Sequence, residues 1–585
     1  MRKPFTLALT FLLVGATTFA QRAITLEDIW QDYTFYPNYV YGLDFRSDGQ
    51  SFTRLEKNKV NQYDLRTGDL VRTVVDATAL TELSDLDGYE LTNNESRIVL
   101  HNNETSIYRH SFEANFYVYE RESGAVTKVM HGGNKTRLAA VSPTGDQVAF
   151  VFGNNLHLQD LNTNNVTQIT MDGKVNEIIN GATDWVYEEE FGKDNGLFWS
   201  PDGQQIAFYR FDETAVKEFT MTNYNDEMYP EYVTFKYPKV GEDNSLVSIH
   251  IYDLASGETT KVAETSDEWE YFPRIKWTNE PGELCVFFMN RFQNKLELRL
   301  LNTRGDSRTV LQESSDYYID IHDNLTFLQD SDQFIWTSEE DGWNHVYLYN
   351  TDGSLAKQLT SGEWEVTEFY GLDETNATIF YQAAKRNPWQ REVYAQSIKK
   401  ADQARLLAGE TGVNSAEFSQ TYDYFVLTHS SANQPTSYTV VDRGGKRIRV
   451  IEDNARLHTL QANFNTTPVE FFQFKTSEKV DLNGYMIKPP NFNPNSAYPV
   501  LMYVYGGPGS QTVKDSWGGQ NYWWFQMLAQ QGFIVVSVDN RGTGARGAEF
   551  KKMTYQQLGR YETIDQIEAA KYLARQRYVD ARRIG

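Results

Sequence analysis

The chain has 585 residues, too many for one ordinary hydrophobic core, so several domains, or one large repeat fold with a companion, are expected. It carries 55 Lys and Arg against 79 Asp and Glu, a net charge of −24. That balance argues against nucleic acid and an anionic membrane as partners and leaves neutral or cationic ones.

The first twenty residues, "MRKPFTLALTFLLVGATTFA", join a basic start, an apolar stretch and a small residue, Ala20, ahead of Gln21. This is the layout of a secretory signal peptide cleaved after Ala20, which implies a periplasmic or secreted protein. Thr and Gly interrupt the apolar run, it is short for a membrane span, and no later stretch is apolar enough to cross a bilayer. No stable span is expected. Cys285, the single cysteine, lies in "ELCVFF" and reads as a buried strand thiol, so no intrachain disulfide can form. Residues 21–45 read as an N-terminal segment packing on the C-terminal domain.

From about residue 46 to 455 a loose repeat runs through the chain. Turn-plus-strand openings occur at "FRSDGQSFT", "VSPTGDQVAF" and "WSPDGQQIAFYR". More regular are eight hairpins: "YDLRTGDLV", "YERESGAVTK", "QDLNTNNVTQ", "YDLASGETTK", "LNTRGDSRTV", "YNTDGSLAKQ", "AQSIKKADQARL" and "VDRGGKRIRV". Each joins two alternating strands through Gly, Asn, Asp or Lys, the chemistry of a tight antiparallel turn; the seventh is the weakest match. Their period of roughly fifty residues is that of propeller blades. We therefore expect an all-β propeller of seven or eight blades, eight by the hairpin count. An irregular β-sandwich array is the alternative, and the period speaks against it.

The gap between the third and fourth hairpins is about one and a half periods, so this unit carries an insertion. Within it lies "DWVYEEEF", with Glu188, Glu189 and Glu190 side by side. A charge run is usually a solvated face. Neighbouring carboxylates can also receive a cation with several N–H donors, such as a peptide's α-ammonium group.

After about residue 456 the texture changes. "EFFQFKTSEKVDLNGYMIKPPNF" reads as a strand hairpin; "YPVLMYVYGGPGSQ" and "GFIVVSVDNRGTGARG" read as parallel strands buried on both faces and ending in glycine-rich loops. "LGRYETIDQIEAAKYLARQ" has helical spacing through Ile564, Ile567, Ala570 and Tyr572. "DNRGTG" reads as a structural turn with an internal Asp539 and Arg541 pair. Residues 456–585 are thus the start of an α/β domain.

"YRHSF" at 108–112, "DWVYEEEF", "VYGGPGSQ" at 504–511, "DNRGTG" at 539–544 and "LGRYETIDQIEAAKYL" at 558–573, in this order, resemble the dipeptidyl peptidase IV branch of the prolyl oligopeptidase serine peptidases. The resemblance covers nearly the whole mature chain and implies a propeller followed by an α/β-hydrolase domain. It implies that Glu189 and Glu190 hold a peptide's free amino terminus, that Arg109 orients them and binds a substrate carbonyl, and that Tyr505 stabilises the oxyanion. It further implies release of Xaa-Pro or Xaa-Ala dipeptides, no cofactor, and commonly a homodimer. A tripeptide-releasing relative is the near alternative, and the intact glutamate pair leans toward dipeptides.

A serine hydrolase of this fold needs a nucleophile, usually in "GxSxG", then Asp and His. No "GxSxG" occurs, and all nine histidines, His101 to His458, precede the strands of the hydrolase-like segment. Nor does "HExxH" occur. The triad cannot be completed within these residues, so the expectation is a truncated, inactive peptidase with a poorly stable C-terminal part. A non-catalytic, propeller-based peptide-binding protein is the second reading.

Overall fold

The computed structural model describes residues 22–129, 132–400 and 403–585. The signal peptide expected over residues 1–20 lies outside the described residues. Every one of the eight hairpins joins two paired antiparallel strands, from Lys59–Asp64 with Leu70–Asp76 to Gln434–Asp442 with Arg447–Glu452. Local chemistry sets these turns: in the first, Asp64 accepts from the backbone N–H groups of Arg66 and Thr67 while Gly68 takes φ +80°. The third uses Asp160 in the same way and Asn164 at φ +61°.

Each hairpin closes an antiparallel unit of four strands, five in the fourth unit, and the "SPDG"-type turns precede the strand that pairs back on the one before them. Three units depart from the simple repeat. The second and third share one eight-stranded sheet, because Phe112–Glu120 pairs with both Val126–Val129 and Thr136–Val141. In the fourth, two short strands, Ile178–Asn180 and Leu197–Trp199, both pair with Gln205–Asp212.

Apolar clusters lie between successive units. Val60 and Val75 pack on Ile98 and Leu100, Val99 and Phe116 on Val148 and Phe150, and Phe380 and Val393 on Phe425 and Leu427. The last unit meets the first: Phe45 and Phe52 pack on Val426 and Val440, and Gln420 donates to the Phe45 carbonyl at 3.0 Å. The sheets thus form a closed, propeller-like domain joined by side-chain packing rather than a shared strand.

The insertion in the fourth unit has two parts. One is a loop carrying a single helical turn. The other is a hairpin, Glu218–Asn223 paired with Glu231–Lys236, that stands out with Met228 87% and Tyr229 83% exposed.

The C-terminal sheet has the order Val469–Lys475, Asp481–Ile487, Ile534–Asp539, Tyr498–Met502, Val579–Ile584; the first two pairings are antiparallel and the last two parallel. Ile534–Asp539 is buried at every position, as its unbroken apolar run implies. Of the helices, we label α1 Leu26–Trp30, α2 Trp185–Glu189, α3 Ala455–Asn463, α4 Gly519–Gln530, α5 Ala548–Lys552 and α6 Arg560–Ala574. Phe525 and Ala529 of α4 pack on Ile487 and Val535, whereas Ala569 and Leu573 of α6 pack on Ile534 and Val536. The two helices thus cover opposite faces of the sheet. The N-terminal segment lies against α4, with Phe35 stacked on Trp523 at 4.0 Å and Ile24 and Ile29 in the same cluster.

The inward face of α6 differs from the sequence reading. Its buried residues are Asp565, Glu568, Ala569 and Leu573, and Ile567 is 49% exposed. Arg541 holds Asp565 in the interior on this face. This also corrects the expected internal pair in "DNRGTG": Arg541 pairs with Asp565 at 2.7 Å and Glu478 at 2.8 Å, while Asp539 accepts from the N–H groups of Thr512 and Val513.

Candidate active site: a glutamate turn and a strand-end tyrosine

Helix α2 is a single turn held at both ends. Asp184 caps it, accepting from Tyr187 N–H at 3.0 Å through one oxygen and from Ser245 Oγ at 2.7 Å through the other. Tyr187 is buried edge-on against Phe211, and its oxygen accepts from Phe272 N–H at 2.8 Å. Trp185 leans on Tyr237 at the foot of the protruding hairpin. So short a helix would not form alone; these anchors fix it.

About 100° of rotation separates successive helical residues, so the three glutamates face three different environments. Glu188 turns inward and is 1% exposed; its Oε1 accepts from His110 N–H at 2.7 Å and Ser111 N–H at 2.9 Å. Glu189 forms an ion pair with Arg109 at 2.7 Å. Glu190, at the helix end, is exposed and has no side-chain partner among the described residues. The charges are dispersed, and only one of the three is left open.

Arg109 sits at the tip of the long hairpin Arg97–Ser106 and Phe112–Glu120, where the Ile107 N–H closes the loop on the Ser111 carbonyl. The sequence gap between Arg109 and Glu189 is thus bridged by that hairpin reaching across from the second unit. Close by, burial and then the Asp184 charge push the Glu213 carboxyl up to about 7, and burial pushes the Tyr108 phenol up to about 12.

Tyr505 lies at the carboxyl end of Tyr498–Met502 and is 71% exposed. The "DNRGTG" segment holds its loop: Asn540 Nδ2 donates to the Gly506 carbonyl at 3.1 Å, Gly509 N–H to Gly542 at 2.8 Å, and Gly544 N–H to Ser510 at 3.0 Å. Gly506 is required here. Its φ is +73°, and a Cβ would stand 2.6 Å from Asn540 Oδ1.

The same loop borders a cavity of about 800 Å3 between the two domains, lined by Glu339, Glu365 and Arg391 on one side and Ser510, Gln511 and Lys551 on the other. Around it, Glu365 accepts from Ala545 and Gly547 N–H, Arg391 donates to Gln511 at 2.6 Å, and Lys551 and Lys552 pair with Asp320 and Glu339. Arg109 and Glu189 are brought into contact; Tyr505 makes no hydrogen bond, ion pair or ring contact with them. Sequence reasoning passed over Glu188, Asn540 and Glu365. All three act on backbone N–H or carbonyl groups distant in sequence, which leaves no motif. Among the described residues, no group of three or more His, Cys, Asp or Glu could hold a metal ion, and no helix is long and apolar enough to cross a membrane.

The chain is similar to known proteins over most of its length. Residues 92–436 match the family described as the dipeptidyl peptidase IV (DPP IV) N-terminal region, more than half of the chain. The chain belongs to the dipeptidyl peptidase IV branch of the prolyl oligopeptidase family. Residues 520–585 match the prolyl oligopeptidase family itself. A crystal structure of Porphyromonas gingivalis dipeptidyl peptidase 4 is similar at a TM-score of 0.91 and 38% identity, over 96% of this chain and 80% of that one. Dipeptidyl peptidase 4 of Trichophyton equinum is 30% identical over 491 residues, 80% of this chain and 62% of that protein. That of Arthroderma otae is 30% identical over 487 residues, again 80% and 62%. The chain spans about three fifths of the length of the curated relatives it matches.

Proposed function

We propose that the protein is a secreted or periplasmic serine exopeptidase of dipeptidyl peptidase IV type, releasing Xaa-Pro or Xaa-Ala dipeptides from free peptide amino termini. One observation carries the reading: Arg109 neutralises Glu189 at 2.7 Å while the neighbouring Glu190 stays open and unpaired. Two carboxylates and one guanidinium sum to a single negative charge, which one ammonium group balances with charge-assisted hydrogen bonds. A blocked terminus has no such charge, so the pair counts residues from the amino end. Arg109 has donors left for a substrate carbonyl. Tyr505, with its hydroxyl unpartnered and its loop fixed by Asn540, donates to the developing oxyanion.

The proposal extends to organisation. Residues 1–20 are a cleaved signal peptide, 21–45 a segment packed on the hydrolase domain, 46–455 an eight-bladed propeller and 456–585 the first part of the hydrolase domain. The protein is a homodimer, for which the exposed Met228, Tyr229 and Tyr232 of the protruding hairpin offer apolar area. Within these 585 residues no "GxSxG" occurs and no histidine follows His458, so no hydrolysis is expected of these residues alone. That same absence of "GxSxG" favours the second reading, a peptide-binding protein without turnover.

Mass spectrometry of peptide digests tests the reading. A protein extended by the segment carrying the triad should release dipeptides from peptides with a free amino terminus and Pro or Ala second, and residues 1–585 should release none. Internal cleavage, or equal cleavage of acetylated peptides, would overturn it.

A further inference from the structure

We propose that Glu188 and Arg137 are a buried positioning pair that sets the Arg109 loop, and through it the geometry of the amine-binding carboxylates. This rests on the amine-anchor reading above. Glu188 binds no solvent-facing group: its Oε1 is taken up by the N–H groups of His110 and Ser111, the two residues directly after Arg109. A carboxylate that grips two consecutive backbone donors fixes the path of the loop, and with it the place from which the Arg109 guanidinium reaches Glu189.

A buried carboxylate needs a compensating charge. The nearest is Arg137, 7% exposed, whose Nη2 lies 3.9 Å from Glu188 Oε2 and donates to the Thr183 carbonyl at 3.3 Å. At 3.9 Å the attraction is of charge rather than a hydrogen bond, and neither Glu188 Oε2 nor Arg137 Nε has a hydrogen-bond partner among the described residues.

The backbone is distorted at the point that delivers this arginine. Leu138, the next residue, has φ +62°, and the pairing of Thr136–Val141 with Gln147–Phe152 slips register between Ala149 and Val151. Arg137 is opposite Val151 on one side and Glu113 on the other. A bulge of this kind re-aims a side chain, and a left-handed leucine persists only where its surroundings hold it there. Thus the strained strand, the arginine, the first glutamate and the Arg109 loop form one continuous chain of contacts. Of the three adjacent glutamates, the first sets the loop of the arginine that meets the second.

Two measurements test this. The first is calorimetric titration of residues 1–585 with a free-amine Xaa-Pro-Xaa tripeptide and its N-acetyl form. Glu188→Ala should weaken free-amine binding at least tenfold, and the loss should vanish on an Arg109→Ala background, because the two act in series. Glu188→Gln, which keeps an oxygen for the two N–H groups, should recover most of the affinity. Equal losses in both backgrounds, or unchanged affinity with only a lower melting temperature, overturn the proposal. The second is amide hydrogen exchange at His110 and Ser111, which should quicken at least tenfold in Glu188→Ala and in Arg137→Met. Unchanged exchange overturns the positioning pair whatever the peptide data show. Equal binding of free and acetylated peptide by the unaltered protein would instead overturn the amine reading, with the exchange result still judging the pair.

Discussion

At the scale of single residues, a run of three like charges resolves into three separate tasks. Glu188 is consumed by backbone donors, Glu189 by Arg109, and Glu190 stays exposed and unpaired among the described residues. Glu190→Gln keeps the shape of the site and removes the open charge, so kcat/KM for a free-amine substrate of the extended enzyme should fall by about 2–5 kcal/mol, read from initial rates. Glu213 yields a pH effect. Burial, then Asp184, raises its carboxyl from 4.5 to about 7, against the opposing charges of Lys236 and Arg137 and with a smaller push from Asp212. Between these values the folded protein keeps a proton that the unfolded chain has released, so stability falls as pH rises through this window. Glu213→Gln should remove that fall, gaining up to about 3 kcal/mol over the wild type by pH 8 and little at pH 4.5. Denaturant midpoints across pH 4.5–8 check it, and parallel curves would contradict it.

At the scale of elements, legibility follows the reach of the interaction. The hairpins were readable because residues such as Asp64 and Gly68 complete their turn within a few positions. Strand Ile534–Asp539 was readable because its burial on both faces leaves an unbroken apolar run. The face of α6 was not, since Asp565 lies inward against Arg541, 24 positions earlier in the chain. Periodicity alone weighted Ile567 as core. Likewise Arg109 and Glu189 are linked through a hairpin from another unit, and only the resemblance of their motifs joined them beforehand. The Arg541–Asp565 pair has a measurable consequence. Both side chains are buried, at 6% and 0% exposure, so Asp565→Asn leaves a buried guanidinium short of a partner. A loss of about 3–5 kcal/mol in the C-terminal domain is expected by chemical denaturation. A loss under 1 kcal/mol would show that Glu478 alone suffices.

At the scale of the whole molecule, the ring of antiparallel units is closed by packing of its last member on its first, and the C-terminal domain is attached at several points. Phe35 on Trp523 ties the N-terminal segment to α4, while Glu365, Asp320 and Glu339 hold the Ala545–Lys552 stretch. Phe35 is 1% exposed, and Phe35→Ala should cost about 3–5 kcal/mol in unfolding of the C-terminal domain. An unchanged denaturation midpoint would mean that the segment adds nothing to that domain.

These attachments hold the Tyr505 loop and border a cavity of about 800 Å3 between the two domains. The central claim is that the open carboxylate of Glu190 and its neighbour recognise a free amino terminus. Calorimetric titration of residues 1–585 with an Xaa-Pro-Xaa tripeptide and its N-acetylated form tests that claim most directly. Binding of the free-amine peptide at least tenfold tighter than the acetylated one is predicted, with the difference abolished in Glu190→Gln. Equal affinity for the two peptides would contradict it.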